Sequence, residues 1–128
     1  MRLGTCYYPE HWPESMWDND ARIMTKLGIT QVRIGEFSWS RIEPSRNKFQ
    51  WEWLDKAIET LTNHNLKIIM CTPTATPPKW LIDEIPEILA LNEANQIRKF
   101  GSRRHYCFSS QNYRKESRRI TSILLNRY

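Results

Sequence analysis

Apolar positions recur at two spacings along the chain, and the two alternate. Leu54, Ala57, Ile58 and Leu61 stand at i, i+3, i+4 and i+7, the stripe of an amphipathic helix over Trp53–Asn63. Trp17, Ala21, Met24 and Gly28 keep helical spacing as well, with Pro13 suited to the first helical turn and Gly28 to the C-terminal stop. Tyr113, Ile120 and Leu124 mark a last helix, roughly Asn112–Arg127. Three short runs of strand character separate them: Arg2–Thr5, Thr30–Ile34 and Leu66–Cys71. The third, LKIIMC, is apolar apart from Lys67, which predicts a strand buried on both faces, as in a parallel sheet. Lys79–Glu84 reads as a short helix, and Ile88–Leu91 with Gln96–Phe100 as a small hairpin around Glu93-Ala94-Asn95. Three strand–helix units in succession predict an α/β fold with a parallel sheet, on a chain of one-domain length.

The connections are unequal. Those after the strands (6–13, 35–52 and 72–110) are long and chemically rich, whereas those after the helices (Gly28–Ile29 and His64–Asn65) are minimal. In an α/β barrel the active site is built from the loops that follow the strands. The first of these loops, CYYPEHWPES, is too polar and aromatic for a core strand, and its prolines exclude a helix interior. In VRIGEFSW, Arg33 lies within the second strand and Glu36 just past its end, so both are candidates to contact polar groups of a ligand or to pair with each other. FGSRRHYC gathers Arg103, Arg104, His105, Tyr106 and Cys107, where an arginine fork suits a polar ligand held in fixed geometry. His105 and Cys107 alone do not make a zinc site, which normally takes four ligands, and there is no CxxC. Neither GxSxG nor a Gly-rich phosphate loop is present.

Charge and composition narrow the classes. Six tryptophans are many for this length; core packing accounts for most such residues, and flat ligands such as sugars for the remainder. The net charge of +5 is a C-terminal property, because residues 98–119 hold eight Lys/Arg against Glu116 alone. Such a run more often forms a solvated helix face than a nucleic-acid surface. No run approaches the ~20 apolar residues of a membrane span. Three widely spaced cysteines, with no apolar signal region, predict a reducing, cytoplasmic setting.

GTCYYPEHWP, VRIGEFSWSRIEP, TPTATPPKWL and FGSRRHYC, in this order and spacing, resemble the N-terminal part of glycoside hydrolase family 42, the β-galactosidases. The resemblance spans essentially the whole chain. It implies the first three strand–helix units of a (β/α)8 barrel, and hydrolysis of terminal β-D-galactosides with retention. It makes Arg103 a contact to galactose, Arg33 and Glu36 lining of the pocket floor, and Cys107 the first of four cysteines that hold zinc in many members. Retention needs two carboxyl groups about 5–5.5 Å apart, and the resemblance puts both family glutamates, and the other three zinc cysteines, beyond Tyr128. A fragment without turnover of its own is therefore expected, with a galactoside as its ligand. Its expected partner is the remainder of the barrel or further copies of itself, because an incomplete sheet keeps open edges. The alternatives are a weak galactoside-binding module and an inactive remnant.

Overall fold

The structure is a computed structural model that describes residues 2–102 and 104–128. In chain order it contains β1 (Leu3–Cys6), α1 (Glu14–Lys26), β2 (Ile29–Ile34), α2 (Trp39–Ile42), α3 (Glu52–Asn63), β3 (Lys67–Met70), α4 (Lys79–Glu84) and α5 (Gln111–Arg127). The three strands form one parallel sheet in the order β1-β2-β3. The expected α/β architecture and each long helix are present, with ends shifted by one residue or two. The chain divides into two compact units. The first runs up to Gly35 and adds Gln50–Cys71; the second comprises Glu36–Phe49 and Thr72–Tyr128.

The first unit follows from alternation on β2. Val32 and Ile34 are buried, and α1 and α3 supply the side chains of the same core: Trp17 and Ala21 from one, Leu54, Ala57 and Leu61 from the other. Successive side chains of a strand point to opposite faces, so Gln31 and Arg33 occupy the other face. There the register sets Cys6 opposite Arg33 and Arg33 opposite Ile69. Each fully buried Leu or Ile contributes about 1.5–3 kcal/mol, so the helical stripes carry this unit. Gly28 ends α1 at φ +78°, a conformation that costs glycine little.

β3 departs from expectation. It is not buried on both faces: Ile69 is 48% exposed, because β3 is an edge strand whose face away from α3 meets no second layer among the described residues.

The opening loop is held by side-chain hydrogen bonds rather than by a regular ladder. Pro9–His11 forms a 3-10 turn with proline in its first position, where a missing N–H costs nothing. The Trp17 indole donates to the Pro9 carbonyl at 3.1 Å, and the Tyr7 hydroxyl donates to Asp20 at 2.8 Å. Burial, then the hydrogen bond and negative charge of Asp20, push the Tyr7 phenol well above its ordinary pKa.

The second unit is organised by a carboxylate. Glu43, fully buried, follows α2 and accepts from the Trp39 indole (3.0 Å), the Asn47 backbone N–H (2.8 Å) and the Arg119 guanidinium (2.8 Å). Arg119 also donates to Glu116 (2.8 Å), which accepts in turn from Arg46 (3.1 Å), and Arg46 reaches Glu84 at 2.6 Å. Burial alone would lower the Arg119 pKa, but its bonds to Glu43 and Glu116 outweigh that and raise it. Trp80 donates to the Glu43 carbonyl at 2.8 Å and lies beneath Arg46, 4.8 Å from its ring centroid. Tyr113 anchors α5 by donating to the Thr74 carbonyl at 2.8 Å, and burial pushes its phenol up to about 12.

TPTATPP contains a 3-10 turn at Pro73–Ala75, which the sequence reading left irregular. The expected hairpin is present in short form: Leu91 bridges Ile97 in antiparallel sense, flanked by Asn92 N–H to Gln96 O at 2.9 Å and Arg98 N–H to Ala90 O at 2.8 Å. The backbone of 88–90 has a second partner in 105–107, through Ala90 N–H to His105 O and Cys107 N–H to Ile88 O, both 2.8 Å, and Leu89 bridges Tyr106.

Replacing Arg119 by Met strands the Glu43 carboxylate and is expected to cost about 3 kcal/mol, the low end for a broken buried pair because Arg119 is partly solvated. Lys79→Met removes only the exposed pair with Asp83 and is expected to cost at most about 1 kcal/mol. Urea unfolding of both variants checks this; equal losses would contradict the assignment. The raised phenols of Tyr7 and Tyr113 favour the folded state below the unfolded tyrosine pKa of 10.0, and that contribution is lost as the pH climbs through the folded values. Stability is therefore expected to fall from pH 10 toward 12, and less steeply in a Tyr7→Phe, Tyr113→Phe double variant.

Candidate functional site

Three segments of the second unit enclose a cavity of about 480 Å³: the turn from Glu36 into α2, the Ala75–Pro77 stretch, and the Phe100–Phe108 loop. The size is that of a small-molecule site, in which an apolar wall carries a few polar groups. Phe37, Phe100 and Phe108 give the wall its apolar surface while remaining exposed. Tyr106 is fixed behind them, stacked on Tyr113 at 4.4 Å between centroids and met edge-on by Phe108 at 5.1 Å. The tie from Tyr113 to Thr74 thus sets the position of an aromatic ring at the cavity wall.

The polar lining comes from Glu36, Ser40, Thr76, Arg104 and His105. His105 is 4% exposed. Its Nδ1 lies 2.9 Å from the Ser102 carbonyl, and a carbonyl only accepts, so Nδ1 carries the proton. Arg104 adopts a left-handed backbone with φ +55° and accepts at its carbonyl from Arg98 at 3.3 Å.

The candidates read from sequence are distributed as follows. Glu36 lines the cavity. Arg33 lies on the face of the first unit's sheet opposite the helices, where its guanidinium donates to the Cys6 sulfur at 3.4 Å in a shallow hollow shared with Gln31 and Ile69. Cys107 does not join His105 in the cavity; it lines a separate hollow of about 630 Å³ with Leu89, Leu91 and Ile97. Arg103 lies outside the described residues. Among the described residues no three His, Cys, Asp or Glu side chains converge as metal ligands. Cys107 therefore offers one sulfur donor, a set that does not fit zinc by itself.

The basic C-terminal run resolves into two roles. Arg119 is held by buried carboxylates, while Arg114, Lys115 and Arg118 are exposed on α5. Three of the six tryptophans, Trp17, Trp39 and Trp53, are buried, whereas Trp12 is half exposed. No helix among the described residues is long and apolar enough to cross a membrane. Thr76 was not singled out by the sequence reading, because a threonine among prolines looks like ordinary loop and the aromatic residues that share its cavity are distant in sequence.

Comparison with known proteins identifies the frame to which these segments belong. The signature of glycoside hydrolase family 42, described as β-galactosidase, matches residues 6–128. A β-galactosidase of Thermus thermophilus is 56% identical over 126 residues, covering 98% of this chain and 20% of that protein. One from Halorubrum lacusprofundi is 51% identical over 128 residues, covering 100% of this chain and 18% of that protein. The crystal structure of a β-galactosidase from the psychrophilic Marinomonas ef1 superimposes with a TM-score of 0.95 at 55% identity, over 100% of this chain and 20% of that one. The chain thus spans about a fifth of the length of the curated relatives it matches, and its three parallel strands with their helices are the corresponding part of their barrel. With a family match over nearly its whole length and more than half of its residues shared with each of these three proteins, the chain belongs to the family 42 β-galactosidases.

Proposed function

We propose that this chain forms part of the substrate site of a retaining β-galactosidase that hydrolyses terminal β-D-galactosides. The observation that carries the reading is the cavity bounded by the loops after β2 and β3, in a segment that is 56% identical to a β-galactosidase. Glu36 and Arg33 suit hydrogen bonding to sugar hydroxyls, since a carboxylate accepts and a guanidinium donates in fixed geometry. Arg103 is assigned to galactose itself on the strength of the family motif. Cys107 is assigned as one ligand of a zinc site whose other donors come from elsewhere.

Retention requires a nucleophilic carboxylate and an acid/base carboxyl group about 5–5.5 Å apart. We assign both to the rest of the barrel. The role of this chain is then to bind and orient, and turnover belongs to the assembled barrel. A weak galactoside-binding activity of the chain alone is the second reading, favoured by the aromatic wall of the cavity.

The test is a chimera in which these residues replace the matching fifth of the Thermus thermophilus relative. Hydrolysis of nitrophenyl β-galactoside is expected to persist, and the chain alone is expected to give none. Glu36→Gln and Arg33→Met in the chimera are expected to lower kcat/KM by about tenfold or more each, the loss of one charged hydrogen bond. A folded but inactive chimera, or full activity in both variants, would overturn the assignment.

A further inference from the structure

Two buried polar atoms on the wall of the 480 Å³ cavity meet no partner among the described residues: Nε2 of His105 and Oγ1 of Thr76. Buried polar groups are almost always hydrogen-bonded, and one left unmet costs free energy. Nδ1–H is committed to the Ser102 carbonyl, so in the neutral imidazole Nε2 is the acceptor. The ring cannot turn away to relieve it, since Phe100 meets it edge-on at 5.4 Å and Tyr106 at 5.7 Å. The threonine hydroxyl both donates and accepts.

We propose that Thr76 and His105 are specificity residues that recognise ring hydroxyls of a pyranose seated in this cavity. A sugar hydroxyl donates to Nε2, and a second hydroxyl exchanges a hydrogen bond with Oγ1. Phe37, Phe100 and Phe108 cover the C–H face of the ring, and Glu36 accepts from another hydroxyl. An apolar aglycone fills the same space but leaves both atoms unmet, so the cavity discriminates for polyhydroxylated rings. The choice of a galactoside rests on the function proposed above, whereas the two recognising atoms rest on the cavity alone.

The experiment is an NMR titration of the full 128-residue chain with methyl β-D-galactoside, methyl β-D-glucoside and glycerol, following the ring nitrogens of His105. A pyranoside is expected to move Nε2 saturably while Nδ1 stays nearly still, and glycerol is expected to do neither. Thr76→Val and His105→Asn are each expected to weaken pyranoside binding about tenfold. His105→Gln, whose amide reaches the place of Nε2, is expected to retain most of the binding. A purely structural histidine reverses that order, because Asn keeps a donor near Nδ1 and Gln does not. Binding of the glucoside alone, sensitive to both substitutions, would uphold the recognising pair and overturn the galactoside reading. Galactoside binding that Thr76→Val and His105→Asn leave intact would overturn the pair and uphold that reading. Absence of any pyranoside binding by the folded chain would mean that water alone satisfies both atoms, and would overturn the inference.

Discussion

A carboxylate that water cannot reach governs the second unit. Removing Glu43 from solvent is expensive, and the cost is offset only if its lone pairs find donors and its charge finds a cation. The donors come from three places in the sequence: Trp39 four residues before it, the backbone of Asn47 four after it, and Arg119 on α5. The cation is shared, since Arg119 also serves Glu116, which Arg46 serves as well. A four-residue helix such as α2 has little stability of its own. Its position is set by this network, together with the buried side chains of Trp39 and Ile42. Because the turn from Glu36 into α2 is one wall of the cavity, the ion network also bears on where the cavity-lining carboxylate of Glu36 stands.

The fold was legible where one physical cause dominated. The apolar stripes of α1 and α3 and the glycine after α1 specify helices directly, and β2 shows the alternation of a strand covered on one side. β3 was misjudged because an apolar run reports what a strand is suited to, not whether a covering layer is present. The hairpin at 88–100 was legible from its turn, and Leu91 pairs with Ile97 across Glu93-Ala94-Asn95. Its second neighbour was not, because nothing in the spacing shows that the backbone of 88–90 also pairs with 105–107. α2 was missed since a single helical turn has no period to detect.

The site was legible in its motifs and illegible in its geometry. Glu36 was found from its place just after a strand, and it lines the cavity. His105 was noticed only as a companion to Cys107, yet the backbone pairing at 105–107 leaves the two lining different hollows. Nothing in the order of residues reveals that His105 Nδ1 is spent on a carbonyl and Nε2 is not. The basic run likewise looked uniform along the chain, although Arg119 is structural and Arg118 beside it is exposed.

The incomplete sheet links stability to chemistry. β1 and β3 each present one strand edge that is unpaired among the described residues, and Ile69 and Leu3 are about half exposed beside those edges. Open edges and uncovered apolar faces favour association. The face carrying Arg33 is mixed, since its guanidinium donates to the Cys6 sulfur and has Gln31 and the half-exposed Ile69 as neighbours. Further strands of the same barrel would pair those edges and cover that face. On the proposed function they also deliver the carboxyl pair that retention requires. On that proposal, completing the fold and completing the catalyst are one event, and the residues assigned to binding become productive only when the edges are filled.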